Sequence, residues 1–189
     1  MKKLLFILTL ILISIPSVYS QKTISGVTMP RKMMVGKTVL QLNGAGVREK
    51  MWIDLYVCGL YVKTKTTNAQ NIIDSKEHCA IKIQIVSSLI TSKKMSDAVE
   101  DCFKNSMGKP TKEMRTKIDN FKSIFADDEI KQGDIYDIVY IPSKGVVVFK
   151  NGKIQPIIEG YEFKKALFAI WLGDKPADDD LKDDLLGKK

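Results

Sequence analysis

The residues best suited to binding chemistry lie in the segment 42–62, where an arginine follows a glycine-rich stretch. Side chains of equal parity on a strand face the same side, so an uninterrupted strand would place Arg48, Trp52 and Tyr56 on one face. Cys58 has the same parity. A guanidinium offers a planar fork of donors and a phenol adds another. The segment therefore predicts a carboxylate-binding pocket formed by Arg48, Tyr56 and Trp52. The alternative is that Arg48 is a surface charge beside a turn and Tyr56 a core aromatic.

Other residue types point to little further chemistry. His78 is the single histidine, and no residues near it have metal-ligand spacing, which argues against zinc hydrolase and Ser-His-Asp chemistry. The sequence predicts no metal and no cofactor. An odd number of cysteines in an exported protein leaves at least one thiol unpaired. Cys58 is expected in the core, and two alternatives stay open for Cys79 and Cys102: a disulfide, or two reduced buried thiols.

The N-terminus has the features of a cleavable secretory signal peptide. Lys2 and Lys3 form a positive start, and residues 4–15 form an uncharged apolar run too short to span a bilayer. Val18-Tyr19-Ser20 predicts cleavage near Ser20-Gln21. The sequence thus predicts a signal peptide at 1–20, one domain at 21–189, and a periplasmic or secreted location. The alternative is an uncleaved N-terminal anchor helix.

Composition limits the classes of partner. The 189 residues carry a formal net charge of +8, and the lysines are spread along the chain rather than gathered in a stripe with aromatics. That pattern, together with export, argues against nucleic-acid binding. The lysine-rich segment 109–122 is a candidate for peripheral contact with an anionic membrane surface, although a solvated helix face explains its charges equally well. The sequence does not indicate an oligomeric state.

The order of predicted elements favours an α+β fold. Alternating or β-branched runs predict strands, a period near 3.6 predicts helices, and Asn43-Gly44-Ala45-Gly46 predicts a turn or bulge. The predicted strands are 37–42, 51–62, 78–87, 135–141, 146–150 and 153–158. The predicted helices run from an N-cap at Ser92 to Gly108, from near Thr111 to Phe125, over 163–171, and over 178–186. Grouped strands and grouped helices indicate an antiparallel sheet with a helical layer on one face.

Two motifs make the sequence similar to a known family. They are Asn43-Gly44-Ala45-Gly46-Val47-Arg48 followed by Tyr56-Val57-Cys58-Gly59-Leu60-Tyr61, and the C-terminal run Ala166-Leu167-Phe168-Ala169-Ile170-Trp171-Leu172-Gly173-Asp174-Lys175-Pro176. Together they resemble the chalcone isomerase-like superfamily, above all its bacterial exported branch, over roughly Ile24 to Gly187. The resemblance implies an open-faced β-sandwich, with one large antiparallel sheet, a helical layer, and a ligand cleft between them.

The resemblance implies binding rather than isomerisation. Of four residues that act in the true isomerases, Arg48 matches, whereas the corresponding places of the others hold Tyr56, Lys94 and Asp101. The fatty-acid-binding branch pairs the same Arg with a Tyr in a Tyr-x-x-Gly-Leu-Tyr context, as here. The resemblance thus implies a non-catalytic binder of a fatty acid or similar apolar carboxylate held by Arg48 and Tyr56. One alternative is an isomerase of the intramolecular lyase type on an unknown substrate, using the same two residues. The other is a structural or interaction protein of the cell envelope whose cleft is filled by side chains.

Overall fold

The computed structural model of the protein describes residues 22–126 and 129–189. The predicted signal peptide and its cleavage point before Gln21 lie outside the described residues. The strands are β1 (Lys22–Ile24), β2 (Val27–Met29), β3 (Lys32–Val35), β4 (Thr38–Lys50), β5 (Ile53–Val62), β6 (Cys79–Ile85), β7 (Ile135–Ile141), β8 (Gly145–Lys150) and β9 (Lys153–Ile154). The helices are α1 (Ala69–Ile73), α2 (Ser92–Met107), α3 (Lys112–Ala126), α4 (Tyr161–Leu172) and α5 (Asp179–Leu185).

Seven strands form one antiparallel sheet in the order β3-β4-β5-β6-β7-β8-β9, so each strand pairs with its neighbour in sequence. One face of the sheet packs against the helices in a large buried cluster. The opposite face carries a smaller cluster that includes residues of the short β1–β2 hairpin. The predicted α+β fold, an antiparallel sheet with a helical layer, is confirmed.

The inner strand β5 is buried on both faces. Tyr56, Cys58 and Leu60 belong to the cluster on the helical face, whereas Val57 and Tyr61 belong to the cluster on the other face. A strand covered on both sides needs apolar residues at every position rather than at alternate ones. This double burial explains the continuous apolar run that the sequence shows here.

Aromatic rings hold the helical layer together. Phe163 of α4 stacks on Phe103 of α2 with 5.8 Å between ring centroids, and Phe121 of α3 meets Phe163 edge-on at 5.9 Å. The hydroxyl of Thr91 accepts a hydrogen bond from the backbone N–H of Lys94 at 3.3 Å and caps α2. The N-cap is therefore Thr91 rather than the predicted Ser92. In the part of the chain that the structure describes, no helix has both the length and the hydrophobicity to cross a membrane.

A tight hairpin interrupts the strand that was predicted over 51–62. Met51 and Trp52 form the turn between β4 and β5, and both have positive φ angles, 53° and 61°. Such a two-residue turn matches the twist of the flanking strands and usually contains Asn or Gly. Met-Trp carries no such signal. The prediction that Arg48, Trp52 and Tyr56 lie on one uninterrupted strand is therefore wrong, since Arg48 and Tyr56 lie on opposite arms of this hairpin.

Two bulges then set the register between the arms. The pairing set by the turn holds at both ends of β4, for Glu49 and Lys50 and again for Gln41 and Leu42. Between these ends the two arms are offset by one residue, which leaves Asn43 and Leu55 without a partner across the ladder. A bulge re-aims the side chains beyond it. Without the bulge at Leu55, the turn register would place Leu55 opposite Arg48. With it, Arg48 lies opposite Tyr56.

The segment Asn43-Gly44-Ala45-Gly46, predicted as a turn or bulge, lies within β4 and contains the bulge at Asn43, and α5 packs closely on the strand there. A Cβ at Gly46 would lie 2.5 Å from the carboxylate Oδ2 of Asp184, and one at Gly44 would overlap the backbone carbonyl of the same residue. Asn43 joins the two elements, because its side-chain amide donates to the carbonyl of Leu185 at 2.8 Å. The glycine-rich stretch thus contains the predicted bulge and not a turn, and its glycines allow the close approach of α5.

Other boundaries differ from the predictions at the ends of elements. The strand expected over 153–158 is limited to β9; beyond it, the Gln155 N–H donates to the carbonyl of Val148, and Ile158 forms an isolated bridge to Val146. The short elements β1, β2, β3 and α1 were not predicted. Each is at most five residues long, too short to show a clear period.

A buried lysine ties α4 to the end of α1. The Nζ atom of Lys164 donates hydrogen bonds to the carbonyls of Ile72, Ile73 and Ser75 at 2.6, 2.8 and 2.8 Å. Burial lowers the pKa of Lys164, but three carbonyl acceptors match the three N–H donors of the ammonium form. The lysine therefore supplies donors to carbonyls at and just beyond the end of α1, where the helix itself leaves carbonyls unsatisfied.

We expect Lys164→Met to destabilise the fold by about 2–4 kcal/mol, because the substitution leaves buried carbonyls without donors. Urea denaturation followed by circular dichroism measures the change. Lys165→Met is the matched control: its ammonium is partly exposed and pairs with Glu162, so it should cost less than about 1 kcal/mol. Equal losses for the two variants would contradict this role of Lys164.

Candidate functional site

Arg48 and Tyr56 lie side by side on the helical face of the sheet. They are direct partners across the β4–β5 ladder, and side chains in such pairs are about 5 Å apart at their Cβ atoms. Tyr56 is buried, whereas the Arg48 side chain keeps 21% of its surface exposed. The structure thus brings together the two residues that the sequence singled out, by cross-strand pairing rather than by spacing along one strand.

The Tyr56 hydroxyl is oriented by the indole of α4. The Trp171 Nε1 atom donates a hydrogen bond to the Tyr56 oxygen at 3.2 Å. A phenol can accept one such bond and still donate its own proton. Burial, and to a smaller extent the nearby Cys58, raises the pKa of Tyr56 well above its usual range. The phenol is therefore a neutral hydrogen-bond donor at physiological pH and a poor general base.

A carboxylate from the chain already contacts the guanidinium. The Arg48 Nη1 atom donates to the Asp178 carboxylate Oδ2 at 2.8 Å and to the backbone carbonyl of Glu49 at 2.6 Å. The Asp178 side chain is 14% exposed, and its other oxygen accepts from the Leu181 N–H at 2.9 Å, which makes it the N-cap of α5. Both contacts of Arg48 use Nη1, and the guanidinium has further N–H groups on Nε and Nη2.

Beside this pair, a cavity of about 600 Å³ lies between the sheet and the helices. Its walls are mainly apolar. They include Ile83 and Ile138 from the sheet, Met95 and Val99 from α2, Phe121 and Phe125 from α3, and Ile170 and Trp171 from α4. Arg48 and Tyr56 belong to the same lining. An apolar chamber with two neighbouring donors in its wall suits a ligand with an apolar body and an acceptor head.

The remaining residues considered from the sequence fall in different places. Lys94 and Asp101 of α2 both line the cavity, as does Cys102. Trp52 is outside its lining and is 92% exposed at the hairpin tip. The expectation that Trp52 shares a face with Arg48 and Tyr56 is thus wrong, because the turn carries it away from them.

Two residues of the site were missed by sequence reasoning. Trp171 was assigned only to a helix face, and Asp178 only to an acidic helix start. An acidic N-cap signal at Asp178 identifies the helix end, but its contact with Arg48 spans 130 positions of sequence. The tertiary fold alone joins them.

The three cysteines are free thiols, so the Cys79–Cys102 disulfide is not formed and the alternative of reduced thiols holds. Burial raises the pKa of Cys79 to about 12 and that of Cys58 further still. Burial also raises the pKa of Cys102, although Arg48 acts in the opposite direction. Within the described residues, no three His, Cys, Asp or Glu side chains lie close enough to hold a metal ion.

The profile of chalcone isomerase-like proteins matches residues 21–187. The chain belongs to the chalcone isomerase-like family. A solved structure with the same fold is that of a fatty-acid binding protein from Arabidopsis thaliana, with a TM-score of 0.67 and 18% sequence identity over 89% of this chain and 97% of that one. No curated protein matches the chain. The profile match and the likeness of fold confirm the resemblance drawn from the sequence motifs.

We expect Cys102 to be the one thiol of this family member that reacts in the folded state, because Cys58 and Cys79 are buried and Cys102 lies at the cavity wall. Its raised pKa leaves less thiolate at pH 8 than in an unstructured peptide, so labelling by a disulfide reagent should be slower than in the peptide and should accelerate as pH rises. The Cys102→Ser variant should lose labelling of the folded protein. Three thiols should react after denaturation, and a count of one would instead indicate a disulfide.

Proposed function

We propose that the protein is a non-catalytic binder of a fatty acid or similar apolar carboxylate, and that it acts outside the cytoplasm after removal of the signal peptide. The observation that carries this proposal is the position of Arg48 and Tyr56, side by side in the wall of an apolar cavity of about 600 Å³.

The head group would lie between the guanidinium and the phenol. A carboxylate can accept from the Nε and Nη2 groups of Arg48 and from the Tyr56 hydroxyl, whose oxygen is already oriented by Trp171. Charge-assisted hydrogen bonds of this kind are roughly twice as strong as neutral ones. Because Arg48 is only partly exposed, water weakens the contact less than it would at an open surface.

The acyl chain would occupy the apolar chamber. Cavities that bind small ligands range from about 300 to 1,000 Å³, and the volume here lies within that range. Each methylene transferred from water adds about 0.8 kcal/mol. The apolar walls would therefore supply most of the affinity, and the Arg48–Tyr56 pair would select a carboxylate and set its orientation.

The fatty-acid binding protein of Arabidopsis supports this choice of ligand class, since it shares the fold over most of both chains. The isomerase alternative is less well supported. It would use Tyr56 as an acid or base, and burial raises the pKa of this phenol far from neutrality. The envelope-protein alternative gains some support from the Arg48–Asp178 ion pair, but it requires a filled cleft, and the cavity is open.

We expect Arg48→Ala to weaken palmitate binding by about 10- to 100-fold, which corresponds to the loss of a charged hydrogen-bonded contact. Tyr56→Phe should weaken it by about 3- to 10-fold, because one neutral donor is lost. Displacement of a fluorescent fatty acid measures both constants. Methyl palmitate should bind the wild type and Arg48→Ala about equally, since its ester group carries no negative charge.

Two matched variants control this test. Tyr61→Phe changes the same residue type on the same strand, but the Tyr61 hydroxyl donates to the carbonyl of Pro30 on the opposite face. Arg115→Ala removes an arginine that pairs with Glu100 on the helical layer. Both should leave palmitate affinity unchanged. If Arg48→Ala binds palmitate as the wild type does, the proposed head-group site is wrong.

We expect Asp178→Asn to tighten palmitate binding by about 3- to 10-fold, because it removes a carboxylate that competes for the same guanidinium. Asparagine caps helices about as well as aspartate, so α5 should stay folded. The same displacement assay measures the change, and thermal unfolding checks the cap. Weaker binding by Asp178→Asn would show that Asp178 instead holds Arg48 in place for the ligand.

A further inference from the structure

Exposed hydrophobic side chains of the hairpin tip, and one from the loop before α2, form a patch beside the cavity. Met51 is 76% exposed and Trp52 is 92% exposed, and Ile53 and Leu89 are also exposed. Met51, Ile53 and Leu89 line the cavity as well. We call these four side chains the tip patch. It is continuous with the apolar chamber proposed to hold the acyl chain.

The backbone holds the tip patch outward. Positive φ angles at both turn residues produce a sharp reversal, so Trp52 projects from the end of the hairpin. Because the Trp52 side chain is almost fully exposed, it does not contribute to the hydrophobic core. Indole rings favour the boundary between water and lipid, where the ring is buried and the N–H remains hydrated.

The charges around the tip patch are mixed. Lys50 and Lys94 line the cavity, but so do Asp97 and Asp101, and Glu49 and Asp54 lie next to the turn. Lys93 pairs with Asp97, and Asp54 accepts a hydrogen bond from Ser25. A surface that carries both positive and negative charges does not select an anionic partner. Its long lysine side chains can still reach phosphate groups when the apolar tip is inserted below them.

The size of the tip patch also distinguishes its partners. A stable protein interface requires about 20–30 residues from each side, far more than the four side chains of the tip patch. Insertion into a lipid surface needs no matching shape, since each buried apolar group contributes separately.

We propose that the tip patch inserts into the interface of a phospholipid bilayer and places the cavity mouth against the membrane, so that fatty acid passes between bilayer and cavity during contact. The transfer part of this inference rests on the proposed function, whereas insertion itself does not.

Vesicle sedimentation and stopped-flow transfer test the two parts separately. The wild type should bind phosphatidylcholine vesicles, and binding should rise only about twofold when a third of the lipid is phosphatidylglycerol, given the mixed charges. Transfer of a fluorescent fatty acid from vesicles to the protein should accelerate in proportion to vesicle concentration, because contact limits the rate.

Trp52→Ser should reduce vesicle binding by about tenfold and make transfer independent of vesicle concentration, while leaving palmitate affinity in vesicle-free solution unchanged. Met51→Ser should reduce vesicle binding in the same direction. Met34→Ser is the matched control: Met34 is also an exposed methionine, but it lies near the β3–β4 turn, at the other end of β4 and roughly 40 Å from the tip patch by strand geometry.

Several results would overturn the inference. Equal vesicle binding by the wild type and Trp52→Ser would remove the tip patch as the contact, and strict dependence on phosphatidylglycerol would favour a basic surface such as segment 109–122. Self-association lost in Trp52→Ser would identify a second copy as the partner. If palmitate fails to bind the wild type in solution while vesicles still do, the proposed function fails and insertion stands.

Discussion

The ion pair between Arg48 and Asp178 joins β4 to the start of α5, and much of the site is arranged around it. The guanidinium projects from an inner strand into a partly dry space, where an unpaired charge would be costly. Asp178 neutralises it and at the same time caps α5. For that cap to reach β4, the helix must lie directly on the strand, which is possible because Gly44 and Gly46 have no side chains.

The surroundings of Arg48 and Tyr56 also fit the proposed role of this fold in binding a ligand without catalysis. The guanidinium of Arg48 is already paired with the carboxylate of Asp178, and burial keeps the phenol of Tyr56 neutral. Neither group is prepared to remove a proton. Both are prepared to donate hydrogen bonds, which is the requirement for holding an anionic head group. These properties suit the proposed recognition of a carboxylate, for which the apolar walls would supply most of the energy.

Much of this could be predicted from the sequence, for identifiable reasons. Strands such as β7 and the long helices have clear periods, and their bounds follow the pattern of apolar residues closely. The proximity of Arg48 and Tyr56 was expected because both were placed on one strand, whereas they lie on two paired strands. The Met51-Trp52 turn has no Gly or Asn to mark it, so the break in the strand was invisible. Trp52 was assigned to the pocket as a consequence, whereas the contacts of Trp171 and Asp178 depend on packing between distant elements.

Because of the two bulges of the β4–β5 hairpin, the site depends on the number of residues in each arm as well as on their types. Asn43 and Leu55 each add one residue to opposite arms, and their effects cancel outside the segment that they enclose. Between them, the pairing of the two arms is offset by one residue from the register of the turn, so that Arg48 is paired with Tyr56 and not with Leu55. The pair depends on the number of residues between Arg48 and Tyr56: with Leu55 unpaired, or with Leu55 deleted, Tyr56 lies opposite Arg48, whereas a regular hairpin of the present length would put Leu55 there.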